Sequence, residues 1–291
     1  PADALYDLLA DATTAPLVFP GTVHVEHLAR SDTDERLRIW AARDDDVRCW
    51  TSHRVLDRGG RRVTFRQEAP TAPIAAMQGR WSVEPLPLGR SRVRLDHAYR
   101  AVDDDPEGLA SIEAMVDRVS NGQLAALQRF VGLGSLTGDG PASFHQSATS
   151  GCPVERAYDF VHDATGWADL APVTGPVAVG RPRDDMQLVD LTLAGPDGPA
   201  LPLQLARVAF PGSHIAFTAI DPAPPLAAYT GQWRFEAGGS GGSGGAGGSG
   251  SKVSVDHTLL VDPASGRHVD ARRLVSGLAE AMLTSLTRSL A

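Results

Sequence analysis

Apolar and polar residues alternate along much of this chain, and the alternating runs are bracketed by helical patterns. In "VRLDHAY" Val93, Leu95, His97 and Tyr99 fall on one side, and Arg94 and Asp96 on the other. That is the period of two of a half-buried strand. The runs "GTVHVEHLAR", "ERLRIWAA", "VRCWTSHRVL", "RVTFRQE" and "GRWSVEPL" also read as strands. A short helix is predicted before them over Ala2–Ala10 and a long one after them over Glu107–Phe130. In the long one Ile112, Met115, Val116, Val119, Leu124, Leu127 and Phe130 recur at roughly helical spacing. The second half repeats this order between helices predicted over Val154–Asp163 and Val269–Leu290. Strands bracketed by helices define an α+β domain with an antiparallel sheet. A curved sheet that grips one long helix by its apolar face leaves a cavity between the two.

The repetition extends to individual residues. "PTAPIAAMQGRW" (Pro70–Trp81) returns 152 residues later as "PAPPLAAYTGQW" (Pro222–Trp233). Across Phe65–Glu84 that offset gives 8 identities in 20 positions, where composition alone predicts roughly one or two. Upstream, "PADALYDLLADA" lies on "PVERAYDFVHDA". Downstream the offset becomes 160, placing His97 on His257. The extra residues belong to a Gly/Ser/Ala tract, Gly238–Ser251, which reads as a hairpin loop inside the second copy. The chain is therefore expected to hold two tandem domains, 1–135 and 143–291, divided near the glycine-rich stretch Gly132–Ala142. "SFHQSAT" (Ser143–Thr149) reads as a first strand of the second copy; its counterpart is expected to be missing ahead of Pro1.

Composition narrows the class. With 27 basic and 35 acidic residues the net charge is −8, which argues against non-specific nucleic-acid binding. No apolar run approaches the ~18 residues of a membrane span. Two scattered cysteines, Cys49 and Cys152, make neither a disulfide framework nor a zinc site, and a reducing cytoplasm is expected. In "HVEH" His24 and Glu26 share one strand face while His27 lies opposite, so no metal site is expected there. "GLGSLTG" follows a helix and opens none, unlike a dinucleotide-binding loop. The acidic triplets Asp44–Asp46 and Asp103–Asp105 read as solvated loops.

Alternation also selects candidate chemistry. His97 shares the apolar, inward face of its strand, and His257 shares that of Val253, Val255 and Leu259. Trp50, Ser52, Arg54 and Leu56 share one face of their strand; whether that face or the one bearing Cys49, Thr51, His53 and Val55 looks inward stays open. Pro70 and Pro73 belong in a bend, because proline cannot donate to a central ladder. Trp81 is expected to start the next strand and point towards the helix.

The helix, the strands, "WTSHR", the proline bend, "GRW", "RVRLDH" and the terminal helix together resemble the polyketide aromatase/cyclases of the START-like helix-grip superfamily. The duplication resembles their di-domain members from bacterial aromatic polyketide synthesis. The resemblance implies two tandem helix-grip domains, each a curved antiparallel sheet wrapped around a long C-terminal helix. It implies an enzyme that folds a poly-β-ketone tethered to an acyl carrier protein, promotes aldol ring closure and dehydrates the ring. No cofactor or metal is implied, and the ketosynthase complex is a further expected partner. Arg54 matches the family's pocket arginine, and Arg207 in "LQLARVAF" is its counterpart after a one-residue shift, without the Trp and Ser. The expected catalytic set is Arg54, His97, Arg207 and His257. The expected lining is Trp50, Ser52, Gln67, Met77, Trp81, Tyr99, Tyr229 and Trp233. Arg58, Arg61, Arg62 and Arg66 crowd one hairpin and form the expected carrier-docking patch. The alternative is a non-catalytic protein that carries a lipid or polyketide in the same cavity.

Overall fold

The computed structural model describes residues 1–19, 21–43, 46–134, 136, 140–194, 200–238, 250–262, 264 and 268–289. The chain divides into two compact units, Pro1–Asp139 and Gly140–Ala291. Most of the Gly/Ser/Ala tract lies outside the described residues, as do Asp44 and Asp45.

Unit 1 begins with α1 (Ala2–Ala10), a 3-10 turn (Ala12–Thr14) and α2 (Ala15–Val18). Ala2, Leu5, Tyr6 and Leu9 bury one stripe of α1. The helix stops at Asp11, whose side chain accepts a hydrogen bond from the Thr13 N–H and so starts the next turn. Six antiparallel strands follow in simple meander order: β1 (Thr22–Arg30), β2 (Asp34–Arg43), β3 (Asp46–Asp57), β4 (Arg62–Glu68), β5 (Ile74–Pro85) and β6 (Ser91–Ala101). The closing helix α3 spans Pro106–Gly132. Asp105 caps it by accepting the Gly108 N–H at 2.8 Å, and Pro106 sits where a missing donor costs nothing.

Unit 2 carries seven strands, with β7 (Ala142–Ser150) preceding the helix α4 (Val154–His162). A 3-10 turn (Ala164–Asp169) leads to β8 (Ala178–Arg183), β9 (Met186–Leu193), β10 (Leu201–Phe210), β11 (His214–Ile220), β12 (Leu226–Ala237) and β13 (Ser251–Val261). Its closing helix α5 spans His268–Ser289. The sheet order is β7-β13-β12-β11-β10-β9-β8, so β7 covers an edge that β6 leaves open in unit 1 among the described residues. The Asp11 cap recurs as Asp163, which accepts the Thr165 N–H at 3.2 Å. The ends of the Gly/Ser/Ala tract are tied by a Gly238 N–H to Gly250 carbonyl bond, so the tract spans the β12–β13 hairpin.

The repeated phrase has a structural reason. Its prolines lie between β4 and β5, and again between β11 and β12. Trp81 falls in the middle of β5 rather than at its start, because the strand runs straight through Gly79. The ring of Phe65 lies across Gly79, where a Cβ would overlap it and come within 2.6 Å of the Asp96 carbonyl. Gly231 is covered in the same way by Phe217 and faces the Asp256 carbonyl. Trp81 is buried and stacks on Phe19, the residue that ends α2, with ring centres 5.8 Å apart.

The two interiors differ. In α5, Leu274, Val275, Leu278, Ala279, Met282, Leu283 and Leu286 are buried as one continuous stripe. They join a single core with Tyr229, Trp233, Phe235, Val255 and Leu259 of the sheet. In α3 the buried residues lie towards the ends, from Gly108 to Val116 and at Leu127 and Phe130. The middle of that helix, Val119, Ser120, Gln123 and Leu124, is only half-buried. So are Phe65, Val93, Leu95, His97 and Tyr99 on the facing side of the sheet. Packing between helix and sheet in unit 1 is thus tightest near the ends of α3, and the facing residues at mid-helix keep partial solvent exposure.

Replacing Gly231 by alanine forces a methyl group into ring and carbonyl. Gly231→Ala should destabilise unit 2 by about 1–3 kcal/mol, read as a lowered unfolding midpoint; an unchanged midpoint would mean that the Phe217 ring is not held there.

Candidate functional site

One transverse row of inward-facing residues crosses each sheet. In unit 1 it runs Glu35, Arg54, Phe65, Gly79, His97 from β2 to β6. In unit 2 it runs Gln187, Arg207, Phe217, Gly231, His257, Phe144. The register settles the open choice in β3: Trp50, Ser52, Arg54 and Leu56 face inward, while Val55 is 43% exposed. It also makes Arg207 the positional counterpart of Arg54, each lying one step from a phenylalanine that covers a glycine.

Each arginine ends a helix. The Arg54 Nη2 donates to the Leu9 carbonyl at 2.5 Å and to the Ala10 carbonyl at 3.3 Å, the last residues of α1. Arg207 repeats this on α4, donating from Nη2 to Val161 at 2.6 Å and from Nη1 to His162 at 3.2 Å. The C-terminal carbonyls of a helix are orphaned acceptors at the negative end of its dipole, which favours a cation there.

The remaining contacts differ. Arg54 Nη1 forms an ion pair with Glu35 Oε1 at 3.1 Å, and Glu35 Oε2 meets His27 Nε2 at 3.0 Å. Arg207 Nη1 instead donates to the neutral amide oxygen of Gln187 at 2.7 Å, with its guanidinium 4.6 Å from the Trp167 ring centre. Burial lowers the pKa of Arg54, opposed by the Glu35 charge. Arg207, without a carboxylate, is pushed down to about 9 by burial.

The next inward row separates the units further. In unit 1 it reads His27, Leu37, Ser52, Gln67. In unit 2 the same positions are Val179, Val189, Leu205 and Ala219. Polar side chains beside Arg54 are thus replaced by an apolar wall beside Arg207.

The other expected residues distribute accordingly. His97 is half-buried against α3, with Nδ1 3.4 Å from Ser120 Oγ and its ring edge-on to Phe65. Burial lowers its pKa, opposed by Asp96, and so favours the neutral ring. Trp50 and Gln67 are half-buried, and Ser52 is buried with its hydroxyl on the Arg66 carbonyl at 3.3 Å. Met77 and Tyr99 pack on the Ile74, Ala101, Ile112, Val116 cluster. In unit 2, Tyr229 and Trp233 belong to the closed core. The Tyr229 hydroxyl bonds His257 Nδ1 at 2.9 Å, Phe144 stacks on His257, and burial pushes that imidazole down to about 4. His257 is 2% exposed and Arg207 1%.

The expected lining omits Glu35 and His27. Both were within reach of alternation: in "ERLRIWAA" Glu35 shares the face of Leu37 and Ile39, and His27 that of Val23 and Val25. A carboxylate on an apolar face needs a buried partner, and that signal leads to Arg54.

The sequence family described as polyketide cyclase/dehydrase and lipid transport matches residues 1–132 and again 141–291. The chain belongs to this family. It is 33% identical over 265 residues to the granaticin polyketide synthase bifunctional cyclase/dehydratase of Streptomyces violaceoruber, covering 91% of this chain and 79% of that protein. It is 31% identical to the actinorhodin polyketide synthase bifunctional cyclase/dehydratase of Streptomyces coelicolor, covering 91% and 81%. Among solved structures, the di-domain aromatase/cyclase BexL matches with a TM-score of 0.84 at 33% identity over 100% of this chain and 95% of that one. The di-domain StfQ of the steffimycin pathway shares the fold, with a TM-score of 0.78 at 24% identity over the same shares.

The buried imidazole sets a pH dependence. His257 falls from an ordinary 6.5 to about 4 on folding, so between those values the unfolded chain binds more protons and stability falls as pH drops. Unit 2 should lose up to about 3 kcal/mol between pH 7 and pH 4 from this group. His257→Gln should flatten the pH dependence of its unfolding midpoint; an equally steep curve in the variant would assign the loss elsewhere.

Proposed function

We propose that the chain is an aromatase/cyclase of aromatic polyketide biosynthesis, and that unit 1 carries the chemistry. The observation that supports this division is the pair of inner rows. Unit 1 combines Arg54, His97, Ser52 and Gln67 with half-exposed walls, whereas unit 2 buries its arginine and histidine in a closed core. The substrate is a poly-β-ketone presented on an acyl carrier protein. It lies between α3 and the sheet, against Trp50, Met77, Tyr99 and Leu124.

The reaction needs no metal, because a carbon between two ketones is already acidic. Ring closure needs a donor where enolate and alkoxide charge develops. Of the five guanidinium N–H groups, Arg54 donates two to the Leu9 and Ala10 carbonyls, and its Nη1 is ion-paired with Glu35. The others are left for a substrate oxygen. His97 is three strands from Arg54, up to ~14 Å along the sheet, so it meets a different stretch of a long chain. It serves the proton transfers of dehydration. Unit 2 supports the fold and holds no substrate in this reading.

The carrier is proposed to dock on the outer face of unit 1. There an open groove of about 380 Å³ is lined by Arg61, Arg62, Arg80 and Arg94 together with Glu84 and Asp96. Arg58 and Arg61 are paired with Asp7 and Asp3, so an acidic partner must exchange for those carboxylates, which makes docking weak and salt-sensitive.

The test is product analysis of a minimal polyketide synthase with and without the chain. Arg54→Ala should cut correctly cyclised product by about 10²–10³-fold with the fold kept. Arg207→Ala should destabilise unit 2 by on the order of 3 kcal/mol, because buried carbonyls lose their donor, and should affect product only as far as the protein unfolds. An active Arg54→Ala beside a folded but inactive Arg207→Ala would reverse the assignment. Retained ligand binding without turnover in the wild type would favour a carrier of lipid or polyketide.

A further inference from the structure

We propose that His27, held by Glu35, is the proton acceptor that works beside Arg54 in ring closure. The inference rests on the aromatase/cyclase reading of unit 1 and names a group outside the expected set.

Glu35 is 1% exposed and has one carboxylate oxygen on each neighbour: Oε1 on Arg54 Nη1 and Oε2 on His27 Nε2, at 3.1 and 3.0 Å. A carboxylate accepts, so the Nε2 of His27 carries a hydrogen, and in the neutral ring the lone pair then lies on Nδ1. Among the described residues Nδ1 makes no hydrogen bond, and the side chain is 20% exposed. The ring lies on the inward face of β1, in the row of Leu37, Ser52 and Gln67. Glu35 therefore fixes an imidazole tautomer and a guanidinium in one unit, a basic nitrogen and an oxyanion donor sharing a single buried carboxylate. His97 cannot share that carboxylate, because it stands on β6.

Unit 2 supplies an internal comparison. At the positions of Glu35 and His27 it has Gln187 and Val179. Gln187 still serves Arg207, and its amide nitrogen meets His162 Nε2 at 3.1 Å, but that histidine comes from the end of α4. The arginine's structural duty against the helix is thus met without a carboxylate and without a histidine on the β8 strand. Helix capping alone does not account for the Glu35–His27 pair.

The proton balance is simple. Nδ1 of His27 takes the proton from the carbon between two carbonyls, and the C–H electron pair becomes the enolate, whose oxygen receives an N–H from Arg54. The enolate carbon attacks the distant ketone, a C–C bond forms, and the C=O electron pair moves to oxygen. The resulting alkoxide takes the proton back from His27, which returns neutral with no net change in the enzyme.

The full chain is tested in the same reconstituted synthase, with thermal unfolding followed in parallel. His27→Gln keeps an amide donor for Glu35. It should leave the unfolding midpoint within a few degrees and lower the rate of cyclised product by about 10²-fold or more. Free imidazole should restore part of the rate in His27→Ala. A second reading needs no variant: ¹⁵N spectra of histidine-labelled wild-type protein should place the neutral His27 proton on Nε2. Full activity of folded His27→Gln, or a proton on Nδ1, would overturn the assignment while leaving the aromatase/cyclase reading intact. A wild-type chain that leaves the synthase products unchanged would overturn that reading and this assignment with it.

Discussion

An arginine held against the end of a helix is the interaction on which both units depend. The first helix of each unit is short and stops at an aspartate, leaving carbonyls without partners. A strand residue two strands in from the β1 or β8 edge reaches up and satisfies them, Arg54 on Leu9 and Ala10, Arg207 on Val161 and His162. The bond fixes the helix over the sheet and fixes the guanidinium at the same time. A donor that costs no reorganisation is what oxyanion chemistry requires, so the scaffold contact and the chemical contact come from one side chain.

What surrounds the arginine then decides its use. In unit 1 a carboxylate, a histidine, a serine and a glutamine face inward next to it, and the middle of α3 is only half-buried where Ser120 meets His97. In unit 2 Gln187 stands for the carboxylate, valine, leucine and alanine stand for the histidine, serine and glutamine, and α5 packs Leu278, Ala279, Met282 and Leu283 into the core. The buried Arg207 is compensated there by carbonyls, an amide and the face of Trp167, which is enough for structure. The two copies thus differ: one is polar and partly accessible beside its arginine, the other closely packed.

Much of the architecture was legible in the sequence. The two offsets, the strands and the helices all rest on strong local periodicity, and the shift to 160 locates the tract within the β12–β13 hairpin. The inward placement of His97 and His257 followed from alternation alone. The register within β3 did not, because both of its faces carry plausible core residues, and only pairing with Phe65 decides between them. Trp81 was expected at a strand start, following the bend at Pro70 and Pro73; the covering ring of Phe65, sixteen positions from Trp81 in sequence, makes Gly79 a strand residue. Glu35 and His27 were readable as polar residues on apolar faces, but their significance lies in a three-way contact between β1, β2 and β3 that no single strand displays. The difference in packing between α3 and α5 was hidden too, since both helices carry an apolar stripe.

If unit 1 is the ligand-binding unit, a ligand should meet the half-buried side chains between α3 and its sheet and leave the described core of unit 2 untouched. The direct measurement is methyl NMR of the full chain titrated with a planar polycyclic phenol of the size of a cyclised polyketide. Saturable shifts should appear at Met77, Met115 and Leu124 of unit 1, while Leu278, Met282 and Leu283 of unit 2 stay unmoved. Shifts centred on the unit 2 methyls, with those of unit 1 silent, would contradict the account.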